Sequence, residues 1–169
     1  QYIMYSKAIK FGDTATAQKI MKEKSPAVQK ELGRKVANYN KNVWESVQEV
    51  IFVRGLRAKF MQNPHCAEVL RQTKDKRIYE ANPRDGIYGI GLGIFDKDIW
   101  QVSKHKGLNW MGAWLEMVRS ELIKQWTIIF PDWTLAGFII LLFSFFFFQS
   151  NDNDTYALFV WSNLIYCNM

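Results

Sequence analysis

The sequence is short of the residues that make chemistry easy to read. Among 169 residues it has two cysteines, Cys66 and Cys167, and two histidines, His65 and His105. Two cysteines without CxxC spacing are too few for a disulfide framework or a structural zinc site. A reducing compartment and no structural metal are therefore the expectations; no cofactor is expected either. Basic residues end at Lys124, and residues 127–169 contain no Lys, Arg, Glu or His. There is no tight basic run either. Lys7, Lys10, Lys19, Lys22, Lys24 and Lys30 stand singly, the pattern of solvated helix faces rather than of a nucleic-acid-binding arm.

What is present falls into two compositions. All 22 Lys and Arg and 13 of the 16 acidic residues lie at or before Lys124, a balance of +9. The remainder carries only Asp132, Asp152 and Asp154, a balance of −3. A basic surplus of that size favours an anionic partner through long-range attraction, without choosing among nucleotide, nucleic acid and membrane surface. The length suits one folded domain.

Residues 2–11 pattern as a helix, and Gly12-Asp13 starts a second one through Ala15, Ala17, Ile20 and Met21 with Asp13 or Thr14 at its N-cap. Ser25-Pro26 opens a third over about 26–32, with Gly33 suited to its far end. Asn42 and Glu45 have the spacing of a capping box, and Val47, Val50, Ile51 and Phe60 continue a single helix over about 43–61. Asn63-Pro64 starts another, near 64–72. Residues 77–81 alternate as a short strand before the turn-forming Asn82-Pro83-Arg84-Asp85-Gly86. Ile87 to Ile94 alternates glycine with apolar residues, which predicts a strand closely approached by another backbone or a ligand. Asn109 is placed to cap a final helix in which Met111, Trp114, Leu115, Val118 and Leu122 share a face.

The tail, 125–169, stands apart. Residues 133–148 are sixteen without charge, about 24 Å as a helix against a hydrocarbon core of about 30 Å. Two readings compete: a marginal membrane helix over about 133–149 with the domain held on the cytoplasmic side, or noncoding sequence translated through a wrong gene boundary, which is slightly favoured.

Several stretches share an order and spacing over about 120 residues: Gln1-Tyr2 with Lys7; Asn42-Val43-Trp44-Glu45-Ser46; Leu56-Arg57-Ala58-Lys59-Phe60 with Gln62; Asp85 before Tyr88-Gly89; and Asn109, Gly112, Met117 and Arg119. Together they resemble the NADAR, or YbiA-like, family. The resemblance implies an α+β, mostly helical fold, a compact single domain with a small sheet spanning 1–124, followed by the hydrophobic C-terminal tail. It implies a cytoplasmic N-glycosidase acting on a small nucleotide-like substrate, either phosphoribosylamino-pyrimidine intermediates of riboflavin synthesis or ADP-ribosylated nucleobases. Nucleic acid enters only as such an ADP-ribosylated substrate, and a membrane only through the tail.

By the same resemblance Trp44 and Asp85 are catalytic, and Lys7, Tyr88 and Asn109 contact substrate. A third catalytic group of the family, a glutamate just ahead of the Gln-Tyr pair, maps before Gln1. The chain is thus expected to be an N-terminally truncated domain with a weakened fold, and a non-catalytic ADP-ribose or nucleotide binder is the alternative. Tyr88 departs from the family's more frequent tryptophan while keeping a stacking face. Glycosidic cleavage passes through an oxocarbenium-like state that a carboxylate stabilises, and an aromatic face holds the base. Without the resemblance, Trp44 reads as a core aromatic and Asp85 as a turn residue bonding its own backbone. Lys7, Arg57 and Lys59 are candidates for a phosphate, of which Lys7 is retained.

Overall fold

The structure, a computed structural model, describes residues 1–129 and 156–159, with side chains through Gln125. The backbone folds as two compact units, Gln1–Lys59 and the residues from Phe60 on.

In the first unit, Asp13 stops one helix and starts the next. α1 (Tyr2–Lys10) ends before Gly12, and α2 (Thr14–Lys22) begins with Asp13 Oδ1 accepting from the Thr16 N–H at 2.9 Å. The other carboxylate oxygen accepts from Ala37 N, also at 2.9 Å, so one side chain ties the start of α2 to the segment after α3. α3 spans Pro26–Arg34. It does not stop at Gly33 as predicted. Gly33 is buried inside the helix because Met4 fills its side-chain space, with Sδ 2.1 Å from where a Cβ would sit. Ala8, Ala17, Ile20 and Val36 form the core here, with Met4, Tyr5, Phe11 and Leu32 packed around them.

The predicted helix over 43–61 is two. α4 (Lys41–Glu45) is capped by Asn40, not Asn42, through Oδ1 and the Val43 N–H at 3.1 Å. Ser46 Oγ donates to Val43 O and the Val47 N–H turns back to Trp44 O, which closes α4 before α5 (Gln48–Gln62). Serine's bond to the preceding turn competes with helix continuation, and apolar spacing alone does not reveal it.

In the second unit α6 (Pro64–Gln72) follows its proline start as expected. Cys66 is buried on α6. β1 (Arg77–Glu80) pairs in parallel with β2 (Tyr156–Phe159), Arg77 opposite Tyr156. α7 (Trp110–Ile129) buries the predicted face of Met111, Trp114, Leu115, Val118 and Leu122 and packs on β1 and α6. Asn109 does not spend its side chain on capping α7. Its Oδ1 accepts from Glu80 N at 3.0 Å and its Nδ2 donates to Ile78 O at 2.8 Å, while Glu116 Oε1 accepts from Ile78 N at 2.8 Å. Two α7-side residues thus satisfy backbone groups of β1 that a neighbouring strand would otherwise take. Further along, the buried Arg119 donates to Thr73 Oγ1 at 2.7 Å and Lys76 O at 2.8 Å, anchoring the turn before β1.

The strand predicted over 87–94 is absent; the segment runs as bends and turns. Its carbonyls bond to the approach of α7 instead of to a strand. Gly86 O accepts from Leu108 N, Ile87 O from Trp110 N, Tyr88 O from Met111 N, Gly89 O from Asn109 N, and Ile90 O from Lys106 and Gly107 N. Trp110 and Met111 contribute N–H groups of the first helical turn, which have no partner within the helix. Tyr79, Ala81, Ile90, Leu92 and Ile99 bury against one another beneath this loop.

The membrane-helix reading of 133–149 and its rival lie outside the described residues. Among the described residues no helix is long and apolar enough to cross a membrane.

Candidate functional site

Lys7 and Trp44, 37 positions apart in sequence, come together in the first unit. Lys7 is half-buried on α1; its Nζ donates to Gly33 O at 2.9 Å and lies 4.2 Å from the Tyr39 ring centroid and 5.7 Å from that of Trp44. Burial holds its ammonium below the usual lysine range, and no neighbouring charge adds to that effect. Aromatic faces attract a cation, but they leave its charge unneutralised. The cluster is therefore suited to an anion: a phosphate would restore the solvation that burial removes. Trp44 itself is 5% exposed and meets Phe52 edge-on at 6.5 Å. Its core reading and its proximity to Lys7 both hold in the geometry. Lys59, also half-buried, is likewise lowered by desolvation.

Asp85, Tyr88 and Asn109 come together in the second unit. Asp85 Oδ1 accepts from Ile87 N at 3.1 Å and Tyr88 N at 2.8 Å, an Asx turn that fixes the carboxylate. Both bonds land on Oδ1, and Oδ2 takes neither. The Tyr88 ring stands 6.4 Å from Trp110 and 5.9 Å from Trp114, and those two tryptophans are 6.0 Å apart. Trp114 is buried; Tyr88 and Trp110 are half-buried. Asn109 reaches this cluster through its backbone, while its side chain is bonded to β1. A carboxylate held by two N–H groups beside aromatic rings can stabilise positive charge developing on a sugar while a ring holds the base.

Sequence reasoning passed over Tyr39 and Trp110. Trp110 had a signal, since it lies one turn before Trp114 on the same face. Tyr39 had none, being placed by the turn after α3. His105, assigned no role, bonds Ile99 O through Nε2 at 2.8 Å and meets Tyr79 edge-on at 4.8 Å, a structural tie. Among the described residues no group of His, Cys, Asp and Glu is arranged to hold a metal ion.

Residues 1–123 match the NADAR domain. Protein irg-1 of Caenorhabditis elegans is 37% identical over 129 residues, 75% of this chain and 59% of the nematode protein. N-glycosidase R617 of Acanthamoeba polyphaga mimivirus is 39% identical over 121 residues, 72% of this chain and 71% of the viral one. N-glycosidase YbiA of Escherichia coli strain K12 is 30% identical over 118 residues, 70% and 67% of the two chains. The chain thus spans less than two thirds of the nematode relative and about two thirds of the others.

Proposed function

The chain belongs to the NADAR domain family, and from that premise we propose that it hydrolyses N-glycosidic bonds of a small, phosphorylated, nucleotide-like substrate. The viral and Escherichia coli relatives bear the name N-glycosidase. The observation that carries the reading is the Asp85 carboxylate, pinned through one oxygen on a loop whose next aromatic, Tyr88, stands beside Trp110.

In this reading water attacks the anomeric carbon as the bond to the base nitrogen breaks. The base leaves with the bonding pair and takes up a proton, and the sugar keeps the hydroxyl. Asp85 stabilises the oxocarbenium-like state, supplying negative charge where positive charge develops. Beside it Tyr88 offers a face to the base; in the first unit, taken by itself, Trp44 offers a ring face and Lys7 a contact for a phosphate. Asn109 works by position: with both polar atoms bonded to β1, it holds the start of α7 and so the loop that carries Asp85. The substrate class is a phosphoribosylamino-pyrimidine or an ADP-ribosylated nucleobase.

Incubation with each class followed by chromatography tests this. Base release from at least one is expected. In Asp85→Asn, which keeps the Oδ1 acceptor and loses the charge, kcat is expected to fall about 100- to 1000-fold, the scale of losing one transition-state-stabilising group. Binding of either ligand without base release would replace the hydrolase with a nucleotide binder.

A further inference from the structure

We infer that Trp110 is a base-stacking residue of the same site and helps to set which base it accepts; this rests on the N-glycosidase reading. Trp110 is the first residue of α7. Its ring is only half-buried, unlike that of Trp114 one turn on. It meets Tyr88 at an interplanar angle of 73° with centroids 6.4 Å apart. Two rings so inclined form a corner: a planar base laid on one of them meets the other edge-on, the two arrangements that aromatic quadrupoles favour.

The corner is held to the carboxylate by backbone. Trp110 N donates to Ile87 O at 3.2 Å, Met111 N donates to Tyr88 O at 3.0 Å, and Tyr88 N donates to Asp85 Oδ1 at 2.8 Å. Trp110 therefore cannot shift its Cα without disturbing the Asp85 turn. Core packing accounts for Trp114, which is 4% exposed. It does not account for a second indole left partly in solvent at a helix start, beside a fixed carboxylate. The ligand class is a nucleobase or pyrimidinone attached to a sugar, gripped by its π face rather than by its hydrogen-bonding edge.

Two readouts test this. In the base-release assay Trp110→Ala should raise KM about tenfold, the usual scale of losing one base–aromatic stack, with kcat little changed, and Trp110→Phe should restore most of it. In fluorescence titrations guanosine 5′-monophosphate should quench tryptophan emission of the native protein while ribose 5-phosphate should not, and Trp110→Phe should lose most of that quench. An unchanged KM in a folded Trp110→Ala protein would overturn the inference. So would equal quenching by both probes, or a quench undiminished in Trp110→Phe, a readout that survives if the alanine variant misfolds. A guanosine-specific quench traced to Trp110 without turnover of any N-glycoside would uphold the stack and sink the hydrolase. Turnover without the Trp110 effects would do the reverse.

Discussion

A single side chain, Asn109, shows how tightly this protein couples stability to its site. Both its polar atoms serve β1, so Asn109→Ala leaves Glu80 N and Ile78 O without these partners. Each abandoned buried group costs about 1–3 kcal/mol, and urea denaturation should show a loss of about 2–4 kcal/mol. In the proposed function Lys7 is the phosphate contact. Lys7→Met should raise KM about ten- to a hundredfold for a phosphorylated substrate, the scale of a charge-assisted hydrogen bond, and leave the dephosphorylated form nearly unaffected. Equal effects on both would remove the phosphate role. The turn chemistry of Asp85 was legible because Asp in a Pro-Arg-Asp-Gly context bonds its own backbone. The meeting of Lys7 with Tyr39 and Trp44 was not, because it depends on how α1, α3 and α4 pack.

Elements were legible where a local device marks them. Asn63-Pro64 and Asp13 start α6 and α2 as expected, and the spacing from Met111 to Leu122 gives the buried face of α7. The break at Ser46-Val47 was hidden, because the apolar period runs on across it. The false strand at 87–94 has a similar cause: alternation reports alternating environments, and here a loop bonded to the start of α7 supplies them. Gly112 lets α7 approach β1, since a Cβ there would meet Ile78 O. Gly112→Ala should destabilise by about 3 kcal/mol, in the range of overpacking, read from the urea midpoint. Asp13 gives α2 a pH dependence. The Ala37 and Thr16 N–H groups hold its carboxyl below the usual range. Its stabilising effect is therefore present above the unfolded-state value and is lost as pH falls through the folded one. Below about pH 4, the ordinary carboxylate region, the native protein should lose urea resistance more steeply than Asp13→Asn.

At the scale of the whole molecule, the +9 balance of residues 1–124 attracts anions from a distance, among them the substrate of the proposed reaction, and salt screens that attraction over about 10 Å at 0.1 M. The second-order rate constant kcat/KM should therefore fall several-fold between about 50 and 300 mM salt, with kcat nearly constant. The family was legible from the order of its short motifs, and its match covers residues 1–123. Sequence did not foresee two compact units, because their division falls inside α5, where neither composition nor punctuation changes. The central claim is that water replaces a base on a sugar carbon. Turnover in ¹⁸O-enriched water followed by mass spectrometry tests it most directly. One ¹⁸O on the released sugar and none on the base is the predicted result; label on the base, or ligand recovered intact from a folded protein that binds it, would contradict it.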